Sequence, residues 1–143
     1  MKKYVIGALL ISAVCIAASC KKPGNSSPAS NLEGSWFVNK VYLDTNRNGI
    51  MDANELFTDT SLAHQVIRFN TDGTLVSTYY SSVSHGTWQL VNGNTYIKTT
   101  DTSGGTTTSY VLILSLTPAS LEIKDTTGVG AGGYIVWEFL TKQ

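Results

Sequence analysis

Asp44 to Glu55 reads DTNRNGIMDANE, and no other stretch of the chain sets so many side-chain oxygens at a regular spacing. Asp44, Asn46, Asn48, Asp52 and Glu55 fall in the order D-x-N-x-N-G-x-x-D-x-x-E, with Gly49 at the centre. Carboxylates and amides at alternate positions are what a hard divalent cation requires, since such an ion takes six to eight oxygens in a flexible shell. Gly49 stands where a loop around an ion turns most sharply, and a residue without Cβ tolerates the dihedrals needed there. Elsewhere the chemistry is sparse. The two histidines, His64 and His85, stand apart, each at the start of an expected strand. There is no G-x-S-x-G elbow and no H-E-x-x-H pair. Asp101, Glu122, Asp125 and Glu138 are dispersed among apolar residues, as solvated strand positions are. The glycines at 104–105 and 128–133 lack a following helix and so make no phosphate loop. No catalytic residue is expected, and the chain is read as a non-enzyme.

The Asp44–Glu55 pattern resembles the twelve-residue loop of EF-hand proteins. The resemblance implies a calcium ion held by the side chains of Asp44, Asn46 and Asn48, the backbone carbonyl of Ile50, Asp52 directly or through water, and both oxygens of Glu55. Three carboxylates with Arg47 close by suggest a weak, extracellular-type affinity of roughly 10⁻⁴ to 10⁻³ M. The flanks depart from the family. Trp36 to Leu43 is aromatic and β-branched and reads as strand, while Ala53 to Phe57 has room for one helical turn. A helix pair is therefore not expected, and the ion would pin two strands rather than operate a sensor. The competing reading is an Asn/Asp/Gly-rich turn that binds nothing.

Residues 1–19 read as an export signal, with Lys2 and Lys3 ahead of a short apolar core that ends in small residues. Ile16-Ala17-Ala18-Ser19-Cys20 resembles a bacterial lipobox, which implies cleavage before Cys20 and lipidation of its thiol. An ordinary secretory signal cut near Ser19 is the alternative. Cys15 lies inside the apolar core, so the mature chain keeps one cysteine and has no disulfide framework. Residues 20–31 combine that cysteine with a Pro, Gly, Ser and Asn tether expected to stay flexible. Lys21 and Lys22 would lie near lipid head groups.

Residues 32–143 make one domain, with six basic and ten acidic side chains and hence a charge of about minus four. That balance offers no basic patch to nucleic acid. Short apolar runs alternate with turn signals, the rhythm of an all-β fold. Strands are expected at 34–43, 64–69, 74–80, 86–91, 94–100, 110–116, 120–124 and 132–140. The Asp72-Gly73 and Asn92-Gly93 pairs mark hairpins. The run 110–116 is nearly all apolar and predicts a strand covered on both faces or lining a cavity. About eight antiparallel strands joined mostly by hairpins predict an up-and-down barrel, with a β-sandwich as the alternative. Leu32-Glu33-Gly34-Ser35-Trp36, Phe69 to Leu75, Gly86-Thr87-Trp88 and Leu121-Glu122-Ile123 resemble the small lipocalin-like lipoproteins of Bacteroidota. The resemblance implies a barrel plugged at one end by Trp36, with a small apolar cavity. The expected function is an exported, lipid-anchored binding protein for a small apolar ligand, held at the outer membrane and facing periplasm or cell surface. The alternative is a filled barrel serving as a structural or protein-interaction module of the envelope. Trp36, Trp88, Trp137, Tyr79, Tyr110 and Phe139 are the aromatic candidates for a pocket lining, or for simple filling.

Overall fold

A computed structural model describes residues 27–58, 64–126 and 133–143. Nine strands follow one another: β1 (Gly34–Leu43), β2 (Leu56–Phe57), β3 (Gln65–Phe69), β4 (Thr74–Tyr79), β5 (Ser82–Val91), β6 (Tyr96–Asp101), β7 (Thr107–Leu116), β8 (Ser120–Asp125) and β9 (Val136–Lys142). Every pairing is antiparallel, and each strand from β3 to β9 pairs with the next. β1 pairs with β3 through residues 34–37 and with β9 through residues 36–43, which closes eight strands into a barrel. The two residues of β2 lie beside Val41 and Tyr42, extending β1's neighbour where β3 has left off. Closure hides the strand edges, so the sandwich alternative falls away.

Closure needs curvature, and two bulges supply it. The β1–β9 register shifts between Val38 and Lys40, and the β7–β8 register shifts between Ile113 and Ser115. The extra residue at Asn39 lets Val38 and Val41 both enter the core. Close approach is the second device. A Cβ on Gly86 would lie 2.2 Å from the carbonyl oxygen of Thr100, so β5 and β6 meet there only because glycine has none. Tight turns join the strands at the end where β1 begins. Asn92 and Gly93 both take positive φ, 51° and 66°, as the Asn-Gly signal requires.

One end of the barrel is filled. Trp36 is completely buried and its indole N–H donates to the carbonyl of Leu32 at 2.6 Å. Trp88 donates to the carbonyl of Asn70 at 3.0 Å and meets Phe69 edge-on at 5.5 Å. A buried indole needs such a partner, because an unsatisfied N–H in an apolar interior is costly. Leu32, Val38, Leu121 and Leu140 complete the plug. The aromatic plug expected at Trp36 is thus present.

The tether reading of residues 20–31 needs correction at its end. Pro28–Leu32 form a short helix, α1, that packs across the filled end. The Ser27 hydroxyl accepts from the Ser30 N–H and Pro28 occupies the first turn, where a missing N–H costs nothing. The side chain of Lys142 ties α1 down by donating to the carbonyl of Asn31 at 2.9 Å. Residues 1–26, with the leader and Cys20, lie outside the described residues, as do 59–63 and most of the 128–133 glycine stretch. The expected strand at 110–116 is longer, Thr107–Leu116, and of its two expected settings the cavity-lining one holds, through Val111. Tyr110 and Leu114 are exposed on the outer face of β7, so the strand is covered on one side only.

Candidate functional site

β1 runs from the filled end to the other end, where, among the described residues, 44–55, 80–81 and 102–106 lie between strands. Two features occupy this open end: the Asp44–Glu55 loop on its rim and a cavity beneath it.

The loop is held by its own side chains. Asp44 and Glu55 are buried, with 1% and 4% of their surface exposed. One carboxylate oxygen of Asp44 accepts from Asn48 N–H at 2.9 Å and the other from Gly49 N–H at 2.8 Å. Glu55 Oε1 accepts from the N–H groups of Thr45 (2.8 Å) and Asn46 (3.2 Å), and Oε2 from Asp52 N–H at 3.3 Å. Asp52 Oδ2 accepts the side-chain amides of both Asn46 and Asn48, each at 2.9 Å. Positive φ at Arg47 (59°) and Gly49 (76°) bends the chain so that these N–H groups point inward. β1 precedes the loop and a 3₁₀ turn, Ala53–Glu55, ends it, with the strand β2 beyond, as expected for a loop without the helix pair. The Arg47 guanidinium lies 5.8 Å from the Tyr134 ring centre, and Asp44 N–H donates to Ile135, which ties the loop to the approach to β9.

Fitted against a calcium ion, the residue types agree and the arrangement does not. Among the described residues no group of three or more His, Cys, Asp or Glu side chains gathers as ion ligands. Asp44, Asp52 and Glu55 turn to N–H groups rather than to a common point. The amide NH₂ groups of Asn46 and Asn48 aim at Asp52, so ligation by their carbonyl oxygens requires both amides to turn end for end. Ile50 donates its N–H to the Asn48 side-chain oxygen at 2.7 Å, and its side chain is exposed.

Below the rim the barrel is not filled. A cavity of about 190 Å³ is walled by Ile67, Phe69, Leu75, Ile97, Val111 and Ile123, with Ser77, Thr99 and Glu138 as its polar members. Leu75, Ser77 and Thr99 also line a wider space of about 350 Å³, so the two lie side by side. The wider space is more polar, bounded by Ser84, Asp101, Thr107 and Ser109 near the ends of β5, β6 and β7. The gradient runs from an apolar floor to a hydroxyl-rich mouth.

Glu138 stands in the apolar wall. Alternation along β9 sends Val136, Glu138 and Leu140 inward and Trp137, Phe139 and Thr141 outward. Burial pushes the Glu138 carboxyl up to about 7, and the neighbouring Asp125 carboxylate adds to the shift. Asp125 lies two residues beyond Ile123 on β8 and faces the same interior. Glu138 itself is half-buried, and no described residue donates a hydrogen bond to its carboxyl.

Sequence reasoning places Asp101, Asp125 and Glu138 among solvated positions; Asp101 is exposed as expected, whereas Glu138 is half-buried and lines the inner cavity. The misleading signal was the strength of the opposite face, since Trp137 and Phe139 are more apolar than Val136 and Leu140. Trp137 is nonetheless buried on the outer face, with the Lys124 ammonium 5.1 Å from its ring centre. Of the six aromatic candidates, none lines the inner cavity. Trp36 and Trp88 belong to the filled end, Trp137, Phe139 and Tyr110 face outward, and Tyr79 stands exposed at the rim. His64 stacks on Tyr80 at 4.4 Å, and His85 borders the mouth.

No protein-family model matches the chain, and no curated protein does. Among solved structures, a DUF4847 family protein from Bacteroides vulgatus is similar, at 19% identity and a TM-score of 0.46, covering 75% of this chain and 92% of that one. A likeness of that degree assigns neither family nor activity, and the closed eight-stranded barrel rests on its own strand pairing.

Proposed function

We propose that the barrel is a non-enzymatic binding protein that takes a small, largely apolar ligand through its open end. The observation that supports this reading is the apolar cavity beside a polar mouth. Its inner part holds roughly six waters' worth of space at about 30 Å³ each, which suits a compact molecule. The filled end provides a rigid floor, so the entropy of ordering the site has been met in folding rather than at binding. Together with the leader and Cys20, the proposal extends to an exported protein held by lipid at the outer membrane, facing periplasm or cell surface. We further propose that calcium is a structural ligand of the Asp44–Glu55 loop, exchanging the internal hydrogen bonds of Asp44, Asp52 and Glu55 for ion contacts. The pattern of oxygen donors and the burial of two carboxylates support this.

Titration calorimetry of residues 21–143 with short alkanols and fatty acids tests the binding reading. Saturable binding with a negative heat-capacity change is expected. Absence of binding across the panel overturns it. A specific observation favours a second reading in that event: Tyr79, Tyr80, Val83 and Tyr134 are exposed near the rim, as the contact surface of an envelope interaction module would be.

A further inference from the structure

The cavity carries one ionisable group in an apolar wall, and that group is an acid. Other acidic residues lie nearby. β8 contributes Asp125 on the inner face, and β6 contributes Asp101 at the mouth, where His85 of β5 also lies. The basic residues of the described strands stand elsewhere. Lys40, Lys98 and Lys124 project outward, opposite in phase to Val41, Ile97 and Ile123, and Arg68 is opposite in phase to Ile67 and Phe69. Lys142 sits beneath the Trp36 plug, and Arg47 is on the rim against Tyr134. An isolated carboxylate in apolar surroundings is unfavourable and is relieved in one of two ways: it takes a proton, or it takes a cation.

We infer that the occupant of the cavity is a compact apolar amine, its ammonium group paired with the Glu138 carboxylate and its hydrocarbon part against Ile67, Leu75 and Val111. This rests on the binding reading above and narrows it. An ammonium gives the half-buried carboxylate charge-assisted donors beside an apolar wall. Burial and the Asp125 carboxylate push the Glu138 carboxyl up, and an ammonium beside it would act in the opposite direction. The hydroxyls of Ser77 and Thr99 stand on the same cavity wall as further acceptors. The same field works against fatty acids, whose carboxylate would enter beside Glu138 and Asp125.

The experiment titrates hexylamine, 1-hexanol and hexanoate into residues 21–143, which contain the whole barrel, and into Glu138→Gln, at pH 8 and pH 5. At pH 8 hexylamine should bind at least about tenfold tighter than 1-hexanol, with hexanoate weakest. Glu138→Gln should lose about tenfold or more for the amine while 1-hexanol changes less than about threefold. In the unmodified protein, amine affinity should fall about tenfold or more at pH 5, where Glu138 is protonated, a comparison that needs no variant. Equal affinity for amine and alcohol, or amine binding indifferent to Glu138→Gln, overturns this inference and leaves the binding reading intact. Absence of binding by all three probes overturns both.

Discussion

Glu138→Gln tests whether an ionisable group lies inside the barrel at all. In the folded protein the carboxyl stays neutral up to about 7, whereas its ordinary value is 4.5. Between those values the unfolded chain ionises and the folded chain does not. Glu138 therefore stabilises the fold most fully below pH 4.5, and that contribution is lost as pH rises towards and through 7. At about 1.36 kcal/mol per unit, the whole effect is at most about 3.4 kcal/mol, and the part falling between pH 5 and pH 8 is about 2.5 kcal/mol. Gln has nearly the same shape and does not titrate. The difference in unfolding free energy between Glu138→Gln and the unmodified protein should thus rise by about 2.5 kcal/mol from pH 5 to pH 8, in favour of the variant. Urea unfolding at the two pH values measures it, and a slope of about 1–3 kcal/mol/M converts it to a midpoint change of roughly 1–2.5 M. Reading the difference cancels every titrating group that does not interact with Glu138, which leaves Glu138 and its coupling to Asp125. A difference that stays constant across this range would mean that the carboxyl reaches open water, and the inward phase assigned to β9 would be wrong.

Calcium at 1 mM should raise the Tm of residues 21–143 by about 4–8 °C if the dissociation constant is about 0.1 mM; Glu55→Gln should weaken binding at least tenfold, and a calorimetric titration showing no change removes Glu55 from the ligand set. Trp36→Ala should cost about 3–5 kcal/mol in urea unfolding, from the void left under α1 and the lost bond to Leu32; a loss below about 1 kcal/mol would show that the plug contributes little. Gly86→Ala should destabilise by about 1–3 kcal/mol because the new Cβ forces β5 from β6; an unchanged unfolding midpoint would refute the close approach. Cys20→Ala should abolish incorporation of labelled fatty acid in cells, and normal labelling of the variant would place the lipid elsewhere.

The sequence announced strands whose two faces differ plainly, and hairpins whose turns need positive φ. β1 matches its expected limits, and the Asn92-Gly93 turn falls where its residues require it. β9 was harder, because both faces are apolar enough to be the inner one, and only closure against β1 and β8 settles which is. That is why Glu138 was legible as a residue and illegible as a site. α1 was hidden for a different reason: five residues carry too little periodicity to signal a helix, and this one is held by Lys142 from 111 positions away. The loop was legible in composition, but which hydrogen bonds its oxygens accept depends on backbone bends at Arg47 and Gly49 that no spacing rule specifies.

The chain enters the barrel at the filled end, through α1, and this sets how the protein would stand on a surface. A lipid on Cys20 would be separated from Ser27 by seven residues, which span no more than about 25 Å when fully extended. The barrel would be held by its floor, with the Trp36 plug toward the bilayer and the Glu138 cavity opening away from it. Cargo would then be exchanged with the aqueous side rather than drawn directly from the lipid beneath, and the calcium-type loop would face whatever medium lies beyond that membrane.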